Sequence, residues 1–140
     1  MYFIGPRVKA PDLTYELPEV PTDLNTLKTW IDQMEKALTT IKPGNASTIV
    51  FNDSIPQKTK YSILYLHGFS SGIGDGEPVH REVAKAIGAN IYLPRLYEHG
   101  LDEQEALLNF TAEGYWKTAL EAFAVAKQLG EEVIILANST

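Results

Sequence analysis

The sequence predicts an α/β fold built on a parallel sheet, and two observations support this prediction. After residue 60, short apolar runs alternate with stretches of helical period, as in consecutive β-α-β units. The strongest apolar run, Tyr61 to Leu66, is continuous rather than alternating, which is typical of a strand covered on both faces. We therefore expect the chain after residue 60 to form parallel strands joined by helices.

A proline-rich arm precedes the predicted domain. Residues 1–22 contain four of the eight prolines of the chain. Because proline fixes φ and removes a backbone donor, we expect an extended arm that lies along the surface of the body. The predicted organisation is therefore an arm, residues 1–22, followed by part of a single domain, residues 23–140.

Between the arm and the regular alternation the sequence predicts one helix and one strand. Thr22 or Asp23 caps the helix, and apolar residues recur at helical spacing as far as Ile41. A β-branched run from Ser47 to Phe51 predicts the strand.

The elements after Leu66 follow from glycine positions and apolar patterns. A glycine-rich loop, residues 68–76, leads into a helix with Pro78 near its first turn. The predicted elements are then, in chain order, this helix ending at Gly88, a strand at 90–93, helices at 102–110 and 112–129, and a last strand at 132–136.

Composition excludes several classes of function. The net charge of −6 and the scattered Lys and Arg residues argue against a nucleic-acid partner. The chain has no cysteine, which excludes thiolate ligands and thiol nucleophiles. We predict no metal site, because His67, Asp75, Glu77 and His80 match no known ligand spacing.

The location of the protein follows only from what the sequence lacks. No apolar run approaches the roughly 20 residues of a membrane-spanning helix, and no signal-peptide pattern is visible. We therefore expect a soluble chain that is cytoplasmic by default.

The last strand runs into a candidate catalytic serine. Val133 to Leu136 followed by Ala137-Asn138-Ser139 matches the first positions of a nucleophile elbow, G-x-S-x-G, which exposes a serine between a strand and a helix. Such a turn needs a small residue before the serine, and Ala137 stands where glycine is commoner. An x-S-x fragment alone is usually an ordinary serine, but the preceding strand and the upstream loop favour a nucleophile.

The loop after Leu66 is the second candidate element. Acyl transfer needs two backbone N–H groups directed at the developing oxyanion. His67-Gly68 allows a sharp turn that directs the Phe69 amide into the site, and the residue after the serine, Thr140, supplies the other amide. The alternative interpretation is an ordinary glycine-rich turn.

Two phosphate-binding motifs compete for this loop and fit it poorly. A P-loop needs a lysine that opens the helix, and no lysine lies between Lys60 and Lys85. The glycines at 72, 74 and 76 do not follow the G-x-G-x-x-G spacing of dinucleotide-binding loops. We expect no nucleotide at this loop.

None of the three histidines is a convincing catalytic base. We expect the His67 ring to bind loop backbone, and His99 to border the substrate cleft. His80 lies among charged residues in the first turns of a helix, so we expect it to be solvated. In proteins with this elbow the order is serine, acid, histidine, whereas all three histidines precede Ser139.

From Tyr61 to Thr140 the chain resembles an α/β-hydrolase of the carboxylesterase and monoacylglycerol-lipase type. The resemblance is carried by YLHGFSSG, GEPVHREVAKAIGANIYLPRLYEHG and EEVIILANST. It implies a three-layer α/β-hydrolase fold with a parallel sheet, truncated here after the strand that leads to the elbow. The opening MYFIGPR resembles the segment that follows a hydrophobic membrane leader in some relatives.

The resemblance also implies a mechanism, in which a serine attacks a small acyl ester without a cofactor. The implied site consists of the nucleophile Ser139, the oxyanion-hole amides of Phe69 and Thr140, the loop supports His67 and Gly68, and the cleft residues Ser70 and His99. The triad acid and histidine of this family follow the nucleophile, so we expect the chain alone to be inactive. The alternative is a catalytically silent half-domain that pairs with a second fragment or with another copy through its open sheet edge.

Overall fold

The computed structural model describes residues 9–103 and 106–139. Its elements are α1 (Leu24–Lys36), β1 (Thr48–Val50), β2 (Thr59–Leu66), a short 3-10 turn (Ile73–Gly76), α2 (Val79–Ile87), β3 (Asn90–Leu93), α3 (Ala112–Leu129) and β4 (Gly130–Ala137). The predicted strand at 90–93 and the predicted helix at 112–129 are confirmed with their bounds.

The strands form one mixed sheet in the order β1-β3-β2-β4. β2 pairs in parallel with β3 and with β4, whereas β1 pairs antiparallel with β3. The prediction of a parallel sheet is thus confirmed for the strands after residue 58 and does not extend to β1. An antiparallel edge strand on an otherwise parallel sheet is common, because a strand outside the β-α-β units needs no crossover helix.

Helices cover both faces of this sheet. α1 and α3 pack on one face, where Leu27, Val125 and Leu129 are fully buried against residues of β1, β2 and β3. α2 packs on the other face, where Ala84 contacts a cluster that includes Ile63. The continuous apolar run of β2 is explained, because this strand is covered on both sides. The predicted α/β class is confirmed at this level.

One polar residue of β2 lies inside this core. The Ser62 side chain is fully buried, and its hydroxyl donates to the Ala126 carbonyl of α3 at 2.8 Å. The hydrogen bond satisfies the hydroxyl and ties α3 to the sheet.

The prediction for the end of α1 was wrong, and so was the predicted helix at 102–110. α1 ends at Lys36, and Ile41 instead forms an antiparallel bridge with Leu101. The Asp102 amide donates to the Thr40 carbonyl next to this bridge, so the start of the segment is tied to the chain that follows α1. In the described part of 102–110 the chain forms turns, and Leu107 has a φ of +72°, a left-handed value that interrupts a helix.

The arm contacts α3 over the residues that the structure describes. The Trp116 indole donates to the Thr14 carbonyl at 2.5 Å, and the Tyr15 ring lies edge-on to the Trp116 ring. Within residues 9–103 and 106–139, no helix combines the length and the apolar character that a membrane crossing requires.

Burial in this core predicts the result of a leucine truncation. Leu129→Ala removes a side chain that is 0% exposed, and we expect the free energy of unfolding to fall by about 2–5 kcal/mol. Leu108→Ala makes the same change at a side chain that is 70% exposed, and we expect a change within about 0.5 kcal/mol. Urea unfolding followed by circular dichroism measures both. Equal losses in the two variants would contradict the packing of α3 described above.

Candidate active site

The chain turns sharply where β4 ends, at the predicted elbow. Ser139 has a φ of +49°, which is a strained conformation for a residue with a side chain. The Asn138 amide donates to the Leu66 carbonyl at 3.0 Å, so the residue before the serine is tied to the end of β2. A positive φ at a serine on the carboxyl edge of the sheet agrees with the predicted elbow, which stays a prediction.

Gly68 lies directly against this turn. A Cβ atom at Gly68 would lie 3.0 Å from the Asn138 carbonyl oxygen, 3.3 Å from Asp75 Oδ2 and 3.7 Å from Ser139 Cβ. The first of these distances is tighter than ordinary packing, so a larger residue would press on the elbow. The glycine therefore allows the loop after β2 to pass close to the candidate nucleophile.

The peptide between Gly68 and Phe69 is held by its carbonyl group. The Gly68 carbonyl accepts from His67 Nδ1 at 3.0 Å and from the Ser71 amide at 3.1 Å. In a trans peptide the N–H points opposite to the C=O, so the Phe69 N–H points away from the His67 ring. Among the residues described here, none accepts a hydrogen bond from the Phe69 amide.

The His67 ring is buried behind this peptide in a single tautomer. His67 Nε2 accepts from the Leu96 amide at 3.1 Å, so the ring proton is on Nδ1, where it serves the Gly68 carbonyl. Burial lowers the pKa of His67 below its ordinary value. The ring is therefore neutral and positions backbone on both sides.

His99 is held in the same way. Its Nε2 accepts from the Ser70 amide at 3.1 Å, and its Nδ1 lies 2.7 Å from the Tyr97 carbonyl oxygen. Ser70 has a φ of +63°, so this hydrogen bond fixes a second strained residue of the loop. His99 and Ser70 also line a cavity of about 230 Å³, whose lining does not include Ser139.

Aromatic rings surround His99 on the side of Phe69. The Phe69 and Phe110 rings lie edge-on with centroids 5.1 Å apart, and Phe69 is also edge-on to His99 at 5.4 Å. The Phe69 side chain is nevertheless 55% exposed. The ring is therefore fixed on one side and open to solvent on the other, next to the residue that contacts the elbow.

Asp75 connects the loop to the elbow, and its role was missed in the sequence. Its carboxylate accepts from the Gly68 amide at 3.0 Å, from Asn138 Nδ2 at 3.2 Å and from the Tyr65 hydroxyl. Burial would raise the pKa of Asp75, but the hydrogen bonds from these groups and from Ser71 lower it overall. The only sequence signal is an acid between two glycines in the loop.

The prediction that His80 is solvated was wrong. Its side chain is 1% exposed, lies edge-on to the Tyr65 ring, and has Nε2 at 3.0 Å from the Ile73 carbonyl oxygen. Gly76 has no side chain to separate the Tyr65 and His80 rings, so α2 closes on β2. Two of the charged neighbours that suggested solvation, Arg81 and Glu77, pair with each other at 2.5 Å.

Other parts of the predicted site are not brought together by the described residues. Thr140, the predicted second oxyanion-hole residue, lies outside the described residues. Within the described part of the chain, no histidine is hydrogen-bonded to Ser139, and His67 and His99 each use Nε2 to accept a backbone amide. No group of His, Asp and Glu side chains in these ranges is arranged to hold a metal ion.

Comparisons with models of known families, with curated proteins and with solved structures found no match for this chain. The resemblance to α/β-hydrolases therefore rests on the sequence motifs alone.

The contact at Gly68 predicts the effect of adding one methyl group. In Gly68→Ala the new Cβ would press on the Asn138 carbonyl oxygen, and we expect a loss of about 1–3 kcal/mol in unfolding free energy. Gly74→Ala is a matched control, because a Cβ at Gly74 meets nothing within 4 Å. Chemical denaturation measures both variants. A Gly68→Ala variant as stable as Gly74→Ala would argue against the close approach of loop and elbow.

The buried neutral His67 predicts a loss of stability in mild acid. The unfolded chain takes up the proton near the ordinary pKa of about 6.5, whereas the folded chain does so only at lower pH. The contribution of neutral His67 to the free energy of unfolding should therefore be complete above about pH 7 and decrease as the pH falls through 6.5. Urea titrations between pH 7.5 and 5 measure this slope.

His67→Asn is the control for this pH dependence. Asparagine keeps an N–H donor for the Gly68 carbonyl but does not titrate, so the variant should lose part of the slope. An unchanged slope would mean that other groups cause the pH dependence.

Proposed function

We propose that this chain carries the nucleophile and the oxyanion loop of a serine hydrolase that acts on carboxylic esters. The observation that supports the proposal is the close approach of Gly68 to a strained Ser139, since a Cβ atom added at Gly68 would lie 3.7 Å from Ser139 Cβ. The Phe69 N–H has no acceptor among the described residues and follows directly on this glycine. An unpaired amide beside a strained serine is the arrangement that acyl transfer uses.

The proposed reaction proceeds through an acyl-enzyme. The Ser139 hydroxyl attacks the ester carbonyl carbon while a base removes its proton. The carbonyl oxygen becomes an oxyanion, which accepts hydrogen bonds from the amides of Phe69 and Thr140. The tetrahedral intermediate then expels the alcohol, which takes the proton back from the base. Water attacks the acyl group in the second half-reaction and releases the carboxylic acid and the serine.

The base in this proposal does not come from His67 or His99. Each ring accepts a backbone amide at Nε2 and faces a carbonyl oxygen with Nδ1. Taking a proton from Ser139 would require either ring to give up one of these contacts. We therefore assign the base and its supporting acid to residues outside these loops, as the family resemblance implies for a segment after the nucleophile.

The alternative proposal is a catalytically silent half-domain that pairs with another chain. It is supported by β4, which pairs with β2 on one side and has no strand on its other side among the described residues. Ile135 in this strand is 52% exposed. An apolar strand with a free edge tends to recruit another strand.

A fluorophosphonate probe tests the enzymatic proposal. The probe forms a covalent bond with an activated serine, and intact mass spectrometry detects the adduct. No histidine among the described residues is hydrogen-bonded to Ser139, so we expect labelling to be slow, since loss of a triad member costs several orders of magnitude in rate. We expect added imidazole, as a diffusible base, to accelerate labelling by about tenfold or more.

Two serine variants identify the labelled residue. Ser139→Ala should abolish the adduct, whereas Ser70→Ala should retain it, because Ser70 contributes only its backbone amide to the contacts described. Labelling that survives Ser139→Ala, or that imidazole does not accelerate, would count against the hydrolase proposal.

Because β4 has a free edge, the alternative can be tested by measuring the molar mass of the protein in solution. If copies pair through this edge, light scattering should give a dimer, and Ile135→Lys should shift it toward the monomer. Ile87→Lys is the control, because Ile87 is 42% exposed but lies on α2, away from the edge. A monomer at all concentrations would exclude self-pairing.

A further inference from the structure

We propose that the carboxylate of Asp75 couples the oxyanion loop to the elbow, so that the Phe69 amide and Ser139 are positioned together. Asp75 is a positioning residue in this proposal, since it acts through its neighbours rather than on a substrate. An effect of Asp75 on catalysis rests on the proposed function. That Asp75 holds the loop and the elbow together rests on the hydrogen bonds alone and can be tested separately.

One oxygen atom of Asp75 binds both halves of the site. Oδ2 accepts from the Gly68 amide at 3.0 Å and from Asn138 Nδ2 at 3.2 Å. Gly68 immediately precedes the proposed oxyanion-hole residue, and Asn138 immediately precedes the proposed nucleophile. A shift of this oxygen would therefore be transmitted to both reacting elements over a single residue.

The other oxygen of Asp75 is anchored to the sheet. Oδ1 accepts from the Tyr65 hydroxyl, and Tyr65 is only 4% exposed in β2. Burial raises the pKa of Tyr65, and the bond to Asp75 raises it further, so the hydroxyl remains a donor. The edge-on contact with the His80 ring, at 4.6 Å between centroids, restrains the tyrosine.

The negative charge of Asp75 is required by its partners. The Tyr65 hydroxyl, the Gly68 amide and the Asn138 side-chain N–H all donate to it, and the Ser71 side chain adds a further hydrogen bond. An ionised carboxylate accepts from all of them, and such charge-assisted bonds are stronger than neutral ones. Asparagine has the same shape but no charge, so its oxygen would hold the Gly68 and Asn138 donors by weaker neutral bonds, and its NH₂ group would force the Tyr65 hydroxyl to accept.

The experiment compares Asp75→Asn with Asp53→Asn in the complete 140-residue chain. Asp53 is an exposed aspartate in the connection to the amino end of β2, at the opposite end of that strand from the site. The first readout is the Gly68 amide proton in ¹H–¹⁵N NMR spectra. The second is the imidazole-dependent labelling rate of Ser139, measured well below the unfolding temperature of each variant.

We expect Asp75→Asn to move the Gly68 amide proton upfield and to slow labelling by at least about tenfold. Asp53→Asn should change neither. In the unsubstituted chain the Gly68 resonance should also titrate in acid, with a midpoint below the ordinary pKa of an aspartate, and Asp75→Asn should abolish this titration. A merely structural role would lower the unfolding temperature without slowing the labelling of the folded variant.

The outcomes separate this inference from the proposed function. A Gly68 resonance that is unaffected by Asp75→Asn overturns the coupling, whether or not Ser139 is labelled. Normal labelling of folded Asp75→Asn overturns it too, and leaves the hydrolase proposal intact.

If Ser139 of the unsubstituted chain is never labelled, the hydrolase proposal fails, but the coupling can still be tested by NMR. The coupling is supported if Asp75→Asn shifts both the Gly68 amide resonance and the Asn138 side-chain resonances. It is contradicted if only one of them shifts.

Discussion

The candidate site depends on the parallel pairing of β2 with β4. Their register places Leu66 opposite Ala137, so both strands end at the same level of the sheet. The loop after one strand and the turn after the other are therefore neighbours, although about 70 residues separate them in sequence. The Asn138 amide extends the pairing by one bond, to the Leu66 carbonyl, before the chain turns at Ser139. A slip of one residue would move Gly68 away from the elbow and turn every side chain of β4 to the other face.

Sequence patterns predicted the parts of the fold that local chemistry decides. The bounds of β3 and α3 follow from an apolar run and from a long helical period, and both agree with the structure. The direction of β1 could not be predicted, because a run of three β-branched or apolar residues does not indicate which neighbour it joins. The helix expected at 102–110 also failed, because the chain before it is held by distant residues: Leu101 bridges Ile41, and the Asp102 amide donates to the Thr40 carbonyl.

Burial of the polar residues around the site was the least predictable feature. His80 stands among charged residues in sequence, yet it is buried because Gly76 allows close packing against Tyr65. Asp75 carries no motif, and its importance arises from groups 7, 10 and 63 residues away that converge on one carboxylate. Sequence spacing can identify a serine and a glycine turn. It does not reveal the hydrogen-bond acceptor that holds them together.

The hydrogen bonds of His67 and His99 make both rings unsuitable as the base of the proposed reaction. A catalytic histidine needs a nitrogen lone pair within hydrogen-bond reach of the proton that it removes. His67 and His99 are fixed by hydrogen bonds at both nitrogens, which suits them to hold backbone rather than to exchange protons. Protonation of His67 at Nε2 would also bring an N–H against the Leu96 backbone N–H. The contacts that hold the loop backbone thus occupy both rings, so the proposed reaction takes its base from a group other than His67 and His99.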